Sequence, residues 1–200
     1  SRAGFSPRGT SVPDSFSNLF SRAANGPFEG WGFSSRNSVS MIILIMGVTA
    51  AGKTTVGRAL AEQLHWRFAD ADDYHSPANV AKMHAGIPLT DEDRAPWLQS
   101  LRVATLGWTG TSENVVLACS ALKTSYRDIL LVSPQVKLVY LRITEELTAA
   151  RLAARHGHYM NPTLLRRQFE TLEEPHDALT IDAAQSTERI VTDIRRAFAI

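Results

Sequence analysis

From residue 41 onward, short apolar runs alternate with longer segments that have helical periodicity. The apolar runs predict strands at 42–46, 67–70, 115–119, 136–141 and 178–181. The segments between them predict helices at 54–64, 77–84, 91–108, 123–131, 144–154, 163–172 and 186–198. Strands separated by helices pair in parallel, with helices covering both faces of the sheet. The predicted fold class is therefore α/β, with three layers around a central parallel sheet of about five strands.

The first forty residues have a different composition from the rest. They contain 10 Ser, 5 Gly, 3 Pro and 3 Asn, and their aromatic residues follow no period. Such a segment buries too little apolar surface to offset its ordering entropy, so we predict a disordered extension at 1–40 and one folded domain at 41–200. The Arg-rich, acid-poor composition is typical of transit peptides. Pro7, Pro13 and Pro27 oppose a long helix there, which favours a non-native extension.

The charge of the chain argues against polyanionic partners. Lys and Arg number 21 against 20 Asp and Glu, a formal charge of +1. We therefore expect no binding to nucleic acid or to an anionic membrane surface. The apolar run at 41–48 is far shorter than a membrane helix. Cys119 is the only cysteine, which excludes an internal disulfide and a cysteine-based zinc cluster.

Residues 47–54 read Gly-Val-Thr-Ala-Ala-Gly-Lys-Thr and fit the phosphate-binding pattern G-x-x-x-x-G-K-[ST]. The segment lies between a predicted strand and a predicted helix, which is the context that the motif requires. Lys53 is expected to reach the β- and γ-phosphates, and the Thr54 hydroxyl to ligate Mg²⁺. The remaining predicted nucleotide contacts are Gly47, Val48, Thr49, Ala50, Ala51, Gly52 and Thr55. The sequence therefore predicts a site for a nucleoside triphosphate with Mg²⁺.

Two carboxylates lie at the end of the second predicted strand. Alternate residues of a strand share a face, so Asp70 and Asp72 are expected to project together toward the metal and an acceptor hydroxyl. The chain has no Asn-Lys-x-Asp segment that would read guanine and no Asp-x-x-Gly switch after the phosphate loop. The pattern therefore favours a small-molecule kinase over a GTPase or a motor ATPase.

The chain resembles the gluconokinases, a family of small P-loop sugar-acid kinases built like shikimate and nucleoside monophosphate kinases. The matching segments are 47–54, 70–75, 79–83, 86–98, 119–123 with 126–128, and 168–175. In their order they run through nearly all of 41–200. Ala50 and Ala51 stand where the family usually has Gly and Ser, and Asn161-Pro162-Thr163 replaces the more usual Pro-Ala-Ser.

The resemblance implies a reaction and its setting. The expected reaction is ATP-dependent phosphorylation of D-gluconate at its 6-hydroxyl, with Mg²⁺, giving 6-phospho-D-gluconate and ADP for the pentose phosphate or Entner–Doudoroff route. A cytoplasmic homodimer is also implied. One alternative is a kinase for another small hydroxy acid such as shikimate, although this chain lacks the Gly-Gly-Gly segment of shikimate kinases. Another is a nucleotide-binding regulatory protein without turnover.

Site roles carried over from the resemblance form three groups. The implied catalytic residues are Lys53, Asp72 and Arg155. Mg²⁺ is assigned to Thr54 and, through water, Asp70.

The other implied roles are contacts with the two substrates. Arg127 is expected to hold the gluconate carboxylate, with Asp72, His75 and Lys82 as further substrate contacts. Arg151 and Arg155 precede a short segment where such kinases carry a lid, and are expected to close on the triphosphate. A solvated basic stripe is the open alternative for the two arginines.

Overall fold

A computed structural model describes residues 40–154 and 162–200. Most of the predicted extension and Arg155 lie outside these residues, so the expectations for them stay predictions. The described residues belong to the compact unit Asn37–Ile200. None of the helices described in this unit has the length and apolar composition needed to span a membrane.

The central strand is β1 (Ile42–Met46), whose five residues are all buried. Its parallel neighbours are β3 (Val115–Ala118) and β4 (Val136–Arg142). The outer strands are β2 (Arg67–Asp70) beside β3 and β5 (Leu179–Asp182) beside β4. The resulting order is β2-β3-β1-β4-β5, and every pairing is parallel. The prediction of a parallel sheet with about five strands is confirmed.

Seven α-helices are described, and they cover both faces of the sheet. They are α1 (Lys53–Leu64), α2 (Pro77–His84), α3 (Asp91–Gly110), α4 (Thr124–Leu130), α5 (Glu145–Ala153), α6 (Pro162–Thr171) and α7 (Thr187–Phe198). Alternate residues of β1 enter two different cores: Ile42, Leu44 and Met46 pack with α3 and α4, whereas Ile43 and Ile45 pack with α1 and α7. This two-sided burial explains why the strand is a continuous apolar run.

The helix N-termini differ in how they are capped. Side chains of Ser76, Thr90, Thr144 and Ser186 cap α2, α3, α5 and α7 by accepting a backbone N–H. The N-cap of α1 is Gly52, which has no side chain to do this. The first N–H groups of a helix have no partner within the helix, so those of α1 are available to a ligand.

One segment differs from the extended geometry expected of it. Strand β2 ends at Asp70, and Ala71–Tyr74 forms a 3₁₀ turn. The Asp70 carboxylate caps this turn by accepting the backbone N–H of Asp72 at 3.2 Å. Asp72 is therefore presented by a capped turn, and the alternation of a strand does not apply to it.

Gly57 lies where α1 approaches the sheet most closely, which gives a test of the packing. A Cβ there would lie 2.7 Å from a ring carbon of Phe68 and 3.6 Å from Val116. Overpacking costs about 1–3 kcal/mol, against about 1 kcal/mol gained from helix propensity. We expect Gly57→Ala to lower the free energy of unfolding by about 1 kcal/mol in urea denaturation.

Gly107 in α3 provides the matched control for that substitution. Nothing lies within 4 Å of a Cβ built there. Gly107→Ala should therefore raise the free energy of unfolding by about 0.5–1 kcal/mol. Equal effects of the two substitutions would contradict the close approach at Gly57.

Candidate active site

A cleft of about 720 Å³ opens at the carboxyl end of the sheet. Its walls come from the phosphate loop, the Asp70–His75 region, the start of α3, the segment after β3, and α6. Of the predicted site residues, those that line it are Thr49, Ala50, Gly52, Lys53, Thr54, Thr55, Asp70, Asp72 and His75. Ligands of open parallel sheets bind outside the carboxyl ends of the strands, so this is the expected location.

The phosphate loop turns sharply between β1 and α1. Gly47 has φ +147°, and a Cβ there would lie 2.8 Å from the Leu141 carbonyl oxygen. Its N–H donates to the Ser120 carbonyl at 3.4 Å. Gly52 has φ +99°. Glycine is thus required at Gly47 by space and at Gly52 by backbone conformation.

Ala50 adopts the left-handed conformation, with φ +56°, at one of the positions where the resembling family usually has a more flexible residue. Arg151 supports this conformation from behind. Its Nη1 donates to the Ala50 carbonyl at 3.1 Å, and its Nη2 donates to the Ala183 carbonyl at 2.6 Å. Arg151 does not line the cleft. The structure therefore places it as a support of the loop, and not at the position expected for a direct triphosphate contact.

Lys53 and Thr54 begin α1 and point to the cleft mouth. Lys53 Nζ donates to the Val48 carbonyl at 2.9 Å. The Thr54 hydroxyl donates to Asp70 Oδ2 at 3.0 Å. Adjacent hydroxyl and carboxylate oxygens are the hard ligands that Mg²⁺ accepts, and Mg²⁺ on phosphates takes few protein ligands. The described residues hold no cluster of three or more His, Cys, Asp or Glu for a metal.

Asp72 is a carboxylate of the cleft whose pKa is raised. The side chain of Asp72 opens to the cleft, but the surrounding walls exclude part of its water. This desolvation raises the pKa of its carboxyl group above the ordinary value. Repulsion from Asp70 raises the pKa further, whereas the charge of Lys53 lowers it. A carboxylate with a raised pKa accepts a proton more readily, as a general base must.

His75 stacks on Trp97 beside Asp72. The ring centroids are 4.4 Å apart and nearly parallel. Trp97 is fixed in turn, because its indole N–H donates to the Ala71 carbonyl at 2.7 Å. Burial lowers the pKa of His75, which keeps the ring neutral near pH 7. His75 is thus placed in the cleft wall as a flat, neutral surface.

A cationic group in the cleft wall was not predicted. Asp91 at the start of α3 accepts hydrogen bonds from Lys123 Nζ at 2.6 Å and from the Tyr126 hydroxyl. Arg94, one turn along α3, donates from Nη1 to the Leu89 carbonyl at 2.8 Å. All four side chains line the cleft. Two cations beside one carboxylate give this cationic wall a net positive charge.

Two predicted substrate contacts lie elsewhere. Arg127 is buried, and its guanidinium donates to the carbonyls of Ala121 and Leu122 at 3.1 and 3.0 Å and to the Thr124 hydroxyl at 2.8 Å. Lys82 pairs with Asp93 at 2.7 Å. Neither lines the cleft. The structure therefore does not bring Arg127 or Lys82 to a substrate, and the arginine instead fixes the turn between β3 and α4.

Helix α6 forms the last wall and was predicted as a helix without a site role. Leu164, Arg167, Gln168 and Thr171 line the cleft. The Thr49 N–H donates to Gln168 Oε1 at 2.7 Å, which joins the helix to the phosphate loop. A contact between residues 119 positions apart leaves no local signal in the sequence.

Comparison with known proteins shows the family of this chain. Residues 49–198 match the family model described as shikimate kinase. The chain is 45% identical over 153 residues to a rat (Rattus norvegicus) protein named "Probable gluconokinase", covering 67% of this chain and 83% of that protein. It is 40% identical over 163 residues to the thermoresistant gluconokinase of Escherichia coli K12, covering 79% of this chain and 93% of the enzyme.

A solved structure gives the same likeness in three dimensions. The crystal structure of a gluconokinase from Sinorhizobium meliloti 1021 superposes with a TM-score of 0.73 and 39% sequence identity. The match covers 80% of this chain and 93% of that one.

The left-handed backbone at Ala50 generates a second test. An L-residue there costs about 1–2 kcal/mol, whereas glycine adds about 0.4–1 kcal/mol of unfolded-state entropy. We expect Ala50→Gly to raise the free energy of unfolding by roughly 0.5–1 kcal/mol in urea denaturation. Ala51→Gly is the control, because Ala51 is buried and has no positive φ; it should be destabilising. A loss of stability in both variants would contradict strain at Ala50.

Proposed function

Because this chain belongs to the shikimate kinase family and, within it, to the gluconokinases, we propose that it transfers the γ-phosphoryl group of ATP to the 6-hydroxyl of D-gluconate. The products are ADP and 6-phospho-D-gluconate. One observation of the site carries the proposal: a single cleft is lined by the phosphate loop, by the Asp72 carboxylate of raised pKa and by the cationic wall of Arg94 and Lys123. An acceptor that carries both a hydroxyl and an acid group fits this arrangement.

The phosphate loop binds the triphosphate through backbone N–H groups at the start of α1. These groups are free of side-chain capping, since Gly52 has none to offer. Lys53 adds a charge near the β- and γ-phosphates. Thr54 and Asp70 would hold Mg²⁺, which when bound neutralises charge on the phosphate oxygens. The chain itself therefore acts mainly by positioning the γ-phosphoryl group and by excluding water from it.

Asp72 orients the acceptor hydroxyl. In the transfer, a bond forms between the 6-oxygen and the γ-phosphorus, and the bond from that phosphorus to the β–γ bridging oxygen breaks. The proton of the hydroxyl passes to the Asp72 carboxylate, whose raised pKa favours its acceptance. His75 and Trp97 provide the flat wall against which the carbon chain of the acceptor rests.

The acceptor carboxylate is assigned to Lys123 and Arg94. Both line the cleft, whereas Arg127 does not. Lys123 is already paired with Asp91, so the pair and Arg94 together carry one net positive charge. A single net charge suits a singly charged carboxylate. Charge-assisted hydrogen bonds to such a group contribute about 1.5–3 kcal/mol each.

Two alternative functions differ from this proposal in the acceptor or in turnover. Another small hydroxy acid, such as shikimate, would use the same phosphate loop and the same base. A regulatory protein would bind nucleotide without turnover. From the resemblance alone we also propose a cytoplasmic homodimer that supplies the pentose phosphate or Entner–Doudoroff route.

The activity is tested by ADP release from Mg²⁺-ATP with gluconate, shikimate and a nucleoside monophosphate offered separately. We expect turnover with gluconate alone, and Asp72→Asn should lower kcat at least about a hundredfold because the base is lost. The Kd for ADP should change less than about twofold. Asp72→Asn should also raise the melting temperature, since it removes repulsion from Asp70.

Asp73→Asn is the control for that variant. Asp73 is exposed beside Asp72 but does not line the cleft. It should keep normal turnover. Normal turnover in Asp72→Asn would remove Asp72 from the reaction, and turnover with shikimate alone would replace the acceptor.

The carboxylate assignment is tested by Lys123→Met. Loss of one charged donor should raise the KM for gluconate about tenfold or more and leave the KM for ATP within about twofold. Lys82→Met is the matched control, because Lys82 also pairs with an aspartate in the first turn of α3 but does not line the cleft. Equal shifts in the gluconate KM of both variants would refute the assignment.

A further inference from the structure

Helix α6 presents one side chain to the phosphate loop. The backbone N–H of Thr49 donates to Gln168 Oε1 at 2.7 Å, and both residues line the cleft. This hydrogen bond lies on the loop itself, where the triphosphate binds. The contact therefore belongs to the reacting end of the site, although α6 is remote from the loop in sequence.

The helix that carries Gln168 is anchored at its carboxyl end. The backbone N–H of Glu173 donates to the Leu122 carbonyl at 2.9 Å, and Glu173 Oε2 accepts the Thr124 N–H at 2.7 Å. Leu165 is buried, and Phe169 packs on the core between the sheet and α1. Gln168 thus projects from a support that is fixed on the same side of the sheet as the cleft.

Gln168 and Lys53 bind the same peptide group of the loop, the one between Val48 and Thr49, from its two sides. Lys53 Nζ donates to the carbonyl of Val48, the residue before Thr49. In this motif the lysine reaches the β- and γ-phosphates. Asp72 also feels the charge of Lys53, which places the acceptor base near the same point. The Gln168 amide therefore contacts the peptide group that also binds Lys53, and Thr49, Lys53 and Gln168 line the same cleft.

A primary amide has one acceptor oxygen and two N–H donors. The hydrogen bond from Thr49 occupies Oε1 and fixes the plane of the amide group. Across residues 40–154 and 162–200, no hydrogen bond is formed by Gln168 Nε2. Its donors are thus oriented by the loop and available to a ligand in the cleft.

We propose that Gln168 is a further catalytic residue, in which Oε1 is anchored on Thr49 and Nε2 donates to an oxygen of the transferring γ-phosphoryl group. The proposal rests on phosphoryl transfer as the function of the site. Charge spreads over the equatorial oxygens of the phosphoryl group in transit, and a donor held in place beforehand stabilises that charge without reorganisation. ADP, which lacks this group, does not use the contact.

The test compares Gln168→Met with Gln168→Glu in the full 200-residue chain. Methionine removes both donor and acceptor at similar length, whereas glutamate keeps an acceptor for the Thr49 N–H and loses the donors. We expect kcat with gluconate to fall at least about tenfold in both variants. The Kd for ADP should stay within about twofold in Gln168→Met, while the Kd for the β,γ-imido analogue of ATP rises about tenfold.

Gln99→Glu is the matched control, because Gln99 is exposed on α3 and does not line the cleft. It should leave kcat and both Kd values unchanged within about twofold. A kcat in Gln168→Glu that stays within twofold of the unsubstituted chain would overturn the proposal, because the acceptor alone would then suffice.

Two other results would also overturn it. A Kd for ADP that rises as much as kcat falls would mean that Gln168 only shapes the loop. Tighter binding of the imido analogue in Gln168→Met would mean that Gln168 blocks the loop and must be displaced. If the unsubstituted chain releases no ADP with gluconate, the acceptor assignment fails, and the ratio of the two Kd values still decides the role of Gln168.

Discussion

The phosphate loop has to hold one strained conformation while the first N–H groups of α1 stay open to a ligand. Most helices in the described part of the chain begin with a capping side chain, but a capping side chain here would occupy the phosphate site. The loop is therefore held through its other groups. Arg151 binds the Ala50 carbonyl, Lys53 binds the Val48 carbonyl, and the Leu141 carbonyl lies against Gly47. These contacts stabilise the loop without capping the first N–H groups of α1, which stay open to a ligand.

The parallel sheet makes this arrangement possible. Because β1 lies between β3 and β4 in parallel register, the carboxyl ends of these strands lie at one edge. β2 adds Asp70 at the same edge through its pairing with β3. The phosphate loop, the carboxylates and the cationic wall are distant in sequence. The parallel strands bring them together without a long connecting loop. The topology sets the location of the site, and the turn after each strand contributes side chains to it.

The sequence predicted the helices and strands, whose apolar residues recur at regular spacing. It also predicted the site residues that belong to a local motif. The run at β1 is continuous because both faces are covered, and the loop residues follow from spacing alone. Arg127 was less predictable. An arginine just after a strand end is chemically suited to a carboxylate, but the backbone of Ala121, with φ +44°, turns two carbonyls inward and they bind the guanidinium. Buried carbonyl groups need a hydrogen-bond donor, and which carbonyls are buried is decided by the tertiary structure.

The backbone conformation that places Asp72 in the cleft also could not be predicted from the local sequence. Its position in the cleft was predicted from strand alternation, yet the structure achieves it with a 3₁₀ turn that Asp70 caps. Asp70 thus has two tasks, since its other oxygen accepts the Thr54 hydroxyl. The Asp70 carboxylate is held between the 3₁₀ turn and the start of α1. This arrangement places Asp72 where the cleft walls exclude water and where the charge of Asp70 repels it. Loss of water and the nearby Asp70 charge both raise the pKa of Asp72, so the turn that Asp70 orders also contributes to the proton affinity of Asp72.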